Sequence, residues 1–295
     1  MEEPSSASEP IRVEKISLKK RLFSLGVFMS PKSLEISVVV PAYNEEKRIA
    51  VSLPVIWNTL AARFSRFEIL VVDDGSSDRT SEKVMEFGDS GHPEVRVIRY
   101  GANRGKGYAV RTGMLAAQGE IVLFSDADLS TPMEELDKLK KVLDEGYDLA
   151  IGSRALKESQ IELRQPFYRV LMGKTFNKIV QLMALPGVWD SQCGFKIFKR
   201  AAAKELFGSS RIDGFSFDVE ILFLARKRGM VFREVPVRWI NSPESKVSPI
   251  SHSLQMLKDM FVMRFKYFLG KYDYKNLCID KIETPFIKHL SKHRS

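Results

Sequence analysis

From residue 35 onward, short apolar runs alternate with longer stretches of mixed character. Glu35–Val40 (E-I-S-V-V-V) is rich in β-branched residues and is closed by Pro41, as expected of a strand. Glu45–Phe64 has helical character. Phe67–Val72 (F-E-I-L-V-V) reads as a second strand, stopped by D-D-G-S-S. Asp78–Phe87 is expected as a helix with Asp78 at its N-cap. Val95–Tyr100, Glu120–Phe124 and Asp148–Gly152 read as further strands, separated by helices over Gly105–Ala117 and Pro132–Glu145. Apolar strands with helices between them predict an α/β fold, a mostly parallel sheet covered on both faces. Ligands of such sheets bind beyond the carboxyl ends of the strands. The segments P-A-Y-N-E-E, D-D-G-S-S and S-D-A-D each follow a strand, so they are expected to share one rim.

The two ends of the chain depart from this rhythm. Residues 1–34 read as a loose leader, with a short amphipathic stretch over Ile16–Met29. Residues 35–250 form the α/β domain, and 251–295 an amphipathic helix with a basic tail. On a helical projection of His252–Tyr272, Gln255, Lys258, Asp259 and Lys266 fall on one arc. Leu254, Met256, Met260, Phe261, Phe265 and Phe268 cover the wide opposite arc, which suits either a core helix or one lying in a membrane interface.

The 295 residues are 44% hydrophobic, enough for one large core, and carry a formal charge of +9. Residues 241–295 alone hold ten Lys and Arg against five Asp and Glu. A basic balance points to anionic partners: phosphorylated substrates, a lipid surface or nucleic acid. The two cysteines, Cys193 and Cys278, have no metal-site or disulfide spacing, which suggests a reducing compartment. The acidic start M-E-E-P-S-S-A-S-E-P is unlike a secretory signal, and no window reaches the ~18 apolar residues of a spanning helix. The expectation is a chain that is cytoplasmic and at most peripheral on a membrane.

Asp126 and Asp128 follow the apolar run I-V-L-F. Two carboxylates there can share one hard cation, Mg²⁺ or Mn²⁺, which takes oxygen ligands and leaves positions for substrate phosphates and water. The ordinary alternative is capping of the helix that follows D-L-S-T-P. Asp73 and Asp74 can accept hydrogen bonds from a base or ribose, or can simply turn the chain before Gly75. N-R-G-K-G (Asn103–Gly107) offers small residues and two cations before a helix, a setting that favours phosphate, although it is not a P-loop.

In this order, P-A-Y-N-E-E, V-V-D-D-G-S-S-D-x-T, N-x-G-K-G and S-D-A-D resemble the inverting family 2 glycosyltransferases of GT-A fold, from about Ile36 to Tyr272. G-S-R (152–154), D-S-Q-C-G-F-K (190–196), F-D-V-E (217–220) and W-x-x-x-x-x-S-K (239–246) are similar to the dolichyl-phosphate β-glucosyltransferase branch. Polyprenyl-phosphate mannose synthases are close cousins. They commonly carry D-A-D-L-Q, where this chain has Ser130.

The resemblance implies inverting transfer of glucose from UDP-glucose to a polyprenyl monophosphate. The alternatives are mannose from GDP-mannose, or a non-lipid acceptor. It implies that Pro41, Tyr43, Glu45 and Asp73 line the nucleotide pocket and that Lys106 lies near the diphosphate. Asp126 and Asp128 match the family's metal and nucleotide-sugar site. Arg154, Arg169 and Lys246 match acceptor-phosphate positions, and Asp190 a carboxylate near the point of attack. Gly173 stands where the mannose synthases often have a serine. No nucleic-acid module is present, and phosphate substrates account for the basic charge. A membrane surface is an expected partner, and the oligomeric state is left open.

Overall fold

The computed structural model describes residues 33–162, 167–241 and 249–272. The leader stretch over Ile16–Met29, Lys246 and the basic tail beyond Tyr272 lie outside the described residues.

The predicted strands form, each within about two residues of its expected ends: β1 (Ile36–Ala42), β2 (Phe67–Asp73), β3 (Val95–Arg99), β4 (Ile121–Ser125) and β5 (Leu149–Ser153). The helices between them are α1 (Glu46–Ala61), α2 (Thr80–Asp89), α3 (Lys106–Ala116) and α4 (Leu136–Asp144), the last preceded by a 3₁₀ turn over Met133–Glu135. Then come β6 (Gln160–Glu162), α5 (Phe167–Met183), β7 (Phe195–Lys199), α6 (Arg200–Ser209), α7 (Phe217–Lys227), β8 (Phe232–Pro236), β9 (Arg238–Ile240) and α8 (Pro249–Phe268).

Seven strands share one sheet in the order β3-β2-β1-β4-β7-β5-β8, and β6 pairs with β9 apart from it. Only β7 runs antiparallel to its neighbours, placing Phe124 opposite Lys196 and Ser125 opposite Phe195. Strand alternation divides the apolar residues between two cores. Val39, Leu70, Val72, Val122 and Phe124 join the core under α3, α5, α6, α7 and α8. Val38, Val40, Ile69, Val71 and Leu123 join the opposite core, under α1, α2 and α4.

Helix α8 packs one stripe of its apolar arc into the core and leaves another exposed. Met256, Met260 and Met263, one stripe at helical spacing, are buried in the core. Phe261, Phe265 and Phe268 on the other side are exposed. After the helix, the Tyr272 hydroxyl donates to the buried Glu220 carboxylate, which also accepts the backbone N–H groups of Arg211 (3.0 Å) and Ile212 (2.9 Å). Glu220 is thus satisfied by backbone and phenol. It anchors the loop that carries Phe215 towards the open end of the sheet.

Candidate active site

β1, β2 and β4 run parallel, so the three polar segments that follow them meet at one edge. The first two segments are stitched together by side chains. The N–H groups of Asn44 and Glu45 donate to Ser76 Oγ (2.9 Å) and Thr80 Oγ1 (2.8 Å). Asp78 accepts from Glu46 N (3.1 Å) and Thr80 N (3.0 Å), so one carboxylate satisfies the starts of both α1 and α2. Asp78, expected as the N-cap, stands one residue before the cap position held by Arg79, and its carboxylate reaches both helix starts.

A cleft of about 560 Å³ opens above this edge. Its walls include Pro41 near the end of β1, Tyr43 and Glu45 after it, Asp74 after β2, Lys106 at the start of α3, and Asp126 and Asp128 after β4. Arg154, Gln192, Phe215 and Trp239 close the far side. Sequence-expected residues from five separate segments thus share one cavity.

Asp73 is not among them. Its carboxylate is fully buried and accepts from Ser76 N (2.8 Å) and Ser81 Oγ, which uses it within the turn. The neighbouring Asp74 faces the cleft and receives the N–H groups of Arg104 (2.8 Å) and Gly105 (2.9 Å). Adjacent residues at a strand end point to opposite sides, so a shift of one exchanges a fold-holding carboxylate for a site-holding one. By that bond Asp74 fixes the N-R-G-K-G turn that presents Lys106.

Lys106 Nζ lies 2.7 Å from Asp126 Oδ1. Burial works against its charge, but Asp126 and Asp218 outweigh that and hold the ammonium above the usual lysine range. Asp126 donates its backbone N–H to the Gly194 carbonyl at 3.0 Å, and Asp128 Oδ1 accepts from Ser130 N at 2.9 Å. Gly194 is required by this approach: a Cβ there would stand 1.9 Å from Asp126 Oδ2. Among the described residues, no group of three or more His, Cys, Asp or Glu side chains could hold a metal ion. Asp126 and Asp128 bring two hard carboxylate donors to the cleft wall. That set fits a divalent cation whose remaining ligands are phosphate oxygens and water.

Arg154 follows β5. Its Nε and Nη2 donate to Asp190 Oδ2 (2.7 Å) and Oδ1 (2.8 Å), and its own N–H also donates to Oδ2 (2.9 Å). The guanidinium lies 5.4 Å from the centre of the Trp239 ring. Burial disfavours both charges, yet the partner in each case prevails: the Asp190 carboxyl is held below its usual range and Arg154 above its own. Asp190 lies behind Arg154, not on the cleft wall. Glu234 of β8 supports the turn from beneath, accepting the N–H groups of Trp189 (2.7 Å) and Asp190 (2.8 Å).

Arg169 falls in the first turn of α5, and its side chain is outside the described ones. Gln192, Glu234 and Trp239 have roles here that their positions in the chain did not announce. Gln192 and Trp239 at least stood within the quoted motifs, whereas Glu234 reads as an ordinary exposed residue of an edge strand. Cys193 is buried and packs under the site, with its thiol pushed up to about 11 chiefly by burial.

The Glycosyl transferase family 2 model matches residues 37–207. The dolichyl-phosphate beta-glucosyltransferase of Drosophila melanogaster is 39% identical over 252 residues, covering 81% of this chain and 77% of that protein. The protein of that name from Saccharomyces cerevisiae is 33% identical over 278 residues, covering 88% and 83%. Among solved structures, glucosyl-3-phosphoglycerate synthase from Mycobacterium tuberculosis, in complex with Mn²⁺, UDP and phosphoglyceric acid, superposes with a TM-score of 0.60 at 20% identity. That match covers 81% of this chain and 78% of the other. Mannosyl-3-phosphoglycerate synthase from Rubrobacter xylanophilus gives 0.59 at 21%, covering 81% and 75%. With the family model matching residues 37–207 and a relative 39% identical over 81% of the chain, the chain belongs to glycosyl transferase family 2.

Proposed function

We propose that this glycosyltransferase moves glucose from UDP-glucose, with inversion, to the phosphate of a polyprenyl monophosphate of the dolichyl type. The observation that carries the reading is the placing of two opposite charge arrangements in one cleft. Asp126, Asp128 and Lys106 stand on one side, and Arg154, locked by Asp190, on the other. The names of the relatives supply the sugar and the lipid.

In this mechanism Pro41, Tyr43, Glu45 and Asp74 receive the nucleoside, and Lys106 neutralises diphosphate charge. Asp126 and Asp128 would hold a divalent ion, Mg²⁺ or Mn²⁺, which would supply Lewis-acid stabilisation to the leaving diphosphate. The acceptor phosphate is already anionic at neutral pH, so no strong base is needed. Arg154 offers it a planar fork and offsets the repulsion between two phosphates. An acceptor oxygen attacks C1 of the glucose from the face opposite UDP. The C1–O bond to the diphosphate breaks, its electron pair leaves with UDP, and the configuration inverts. Asp190 acts through Arg154 by holding the fork in orientation. Arg169 and Lys246 belong to the same acceptor reading.

A lipid acceptor also gives α8 a use. Its exposed Phe261, Phe265 and Phe268, with Arg264 and Lys266 among them, suit the cytoplasmic surface of a membrane. No helix among the described residues is long and apolar enough to cross one. The deciding experiment supplies labelled UDP-glucose or GDP-mannose with dolichyl phosphate and Mn²⁺. Chloroform-extractable label from UDP-glucose is expected. Label from GDP-mannose alone, or from neither, refutes the proposal.

A further inference from the structure

Lys196 and Asp218 form a buried ion pair that the chemistry above leaves unused. Lys196 lies on β7 opposite Phe124 of β4 and is 1% exposed. Its ammonium donates to Asp218 Oδ1 at 2.6 Å and to the Cys193 carbonyl at 2.5 Å. Desolvating both charges is costly, and apolar residues of the same volume often serve the fold as well or better. Stability alone therefore gives no reason for this pair at the centre of a sheet.

Its position gives one. Asp218 stands in the first turn of α7, directly after Phe217. That turn lies against the start of α3: a Cβ on Gly107 would meet Phe217 Cβ at 2.8 Å. Phe124 faces Phe217 edge-on, with ring centres 5.7 Å apart. The ammonium groups of Lys106 and Lys196 lie 5.5 and 5.8 Å from the centre of that Phe124 ring. Lys106 in turn reaches Asp126 Oδ1 at 2.7 Å. The Phe124 ring thus joins the Lys106–Asp126 pair at the cleft to the Lys196–Asp218 pair behind it.

We propose that Lys196 and Asp218 are positioning residues for the diphosphate end of the site. Asp218, held from beneath by Lys196, sets the place of the Lys106 ammonium and through it the Asp126 carboxylate. The inference rests on the nucleotide-sugar reading above.

The test is calorimetric binding of UDP in the presence of Mn²⁺ to the full chain. The double variant Lys196→Met/Asp218→Leu removes both charges at similar volume and is expected to unfold cooperatively. Its Kd for UDP is expected to rise about 10- to 100-fold, as when a supporting partner of a site is removed. Lys106→Met raises Kd in the wild-type background, but is expected to change it less than about twofold once the pair is gone, because groups acting as one unit are not additive. Losses that simply add, or a double variant that binds UDP like the wild type, overturn the positioning role. If the double variant does not unfold cooperatively, Asp218→Asn keeps the shape and carries the same cycle. A wild-type chain that binds no UDP refutes the nucleotide-sugar reading itself, whereas wild-type binding with additive variants refutes only this inference.

Discussion

Arg154 and Asp190 meet edge to edge, with Nε 2.7 Å from Oδ2 and Nη2 2.8 Å from Oδ1, and the carboxylate almost fully buried. A lysine cannot make both bonds. Arg154→Lys is expected to raise the KM for lipid phosphate much more than the KM for UDP-glucose. An equal rise in both would place Arg154 elsewhere in the reaction.

Asp190→Asn leaves a partly buried guanidinium without its counter-charge, and is expected to destabilise the fold by roughly 3 kcal/mol in urea unfolding. The Asp190 carboxyl is held below its usual range, against burial, by Arg154. A depressed folded value contributes stability above the unfolded carboxylate value of about 3.9, and loses it as pH falls through the folded one. The gap between wild type and Asp190→Asn should therefore stay constant from pH 8 to about 5 and narrow only below about pH 4. A gap that closes near neutrality would mean that another group carries it.

Gly194 passes so close to Asp126 that a Cβ would lie 1.9 Å from Oδ2. Gly194→Ala must move that carboxylate away from Lys106. Overpacking of this kind costs roughly 1–3 kcal/mol where the neighbour cannot yield, but Asp126 is on the cleft wall and can. The expected outcome is a nearly unchanged Tm with Mn²⁺-dependent UDP binding weakened at least about tenfold, the scale of a misplaced site ligand. Unchanged UDP binding would show that the position of Asp126 is not critical.

β1, β2, β4 and β5 were legible because each is a nearly pure apolar run ended by a turn, and both of its faces are buried; β3, an edge strand with only Val95 and Ile98 buried, showed itself by its β-branched residues. The rim followed from strand direction alone. Three features were not legible, each for a physical reason. β7 holds Lys196 inside F-K-I-F-K, and its charge is paired with Asp218, 22 residues away, so local pattern cannot announce a buried strand. Asp73 and Asp74 differ by one position at a strand end, where the pleat decides which carboxylate meets the cleft. On α8 the apolar arc is too wide for one surface. The Met256–Met260–Met263 stripe separates from the phenylalanines only when the sheet and its other helices supply a place to pack.

Asp126 and Asp128 are the acidic pair of the cleft wall. EDTA is expected to abolish sugar transfer and added Mn²⁺ to restore it. Asp128→Ala also removes the acceptor for Ser130 N, but that bond is a local turn contact, so folding should survive. Loss of about 10²- to 10³-fold in kcat is expected, comparable with removing one stabiliser of developing charge. Full activity of Asp128→Ala would dismiss the metal reading.

Phe265 and Phe268 are 63% and 85% exposed on α8, while Met260 on the same helix is 1% exposed. The two faces can therefore be tested separately. Burying a phenylalanine in an apolar phase gains about 1.5–3 kcal/mol, so replacing two with glutamate should remove at least about 3 kcal/mol of membrane affinity. That corresponds to about 100-fold weaker flotation with vesicles of phosphatidylcholine, phosphatidylglycerol and dolichyl phosphate. Added salt should weaken wild-type flotation, because Lys258, Arg264, Lys266 and Lys271 contribute electrostatically. Phe265→Glu/Phe268→Glu should leave UDP binding and Tm unchanged, since neither side chain supports the core. Met260→Ala should do the reverse, losing about 2–5 kcal/mol of stability with flotation intact below its lowered Tm. Flotation insensitive to both phenylalanines would show that α8 does not face the lipid.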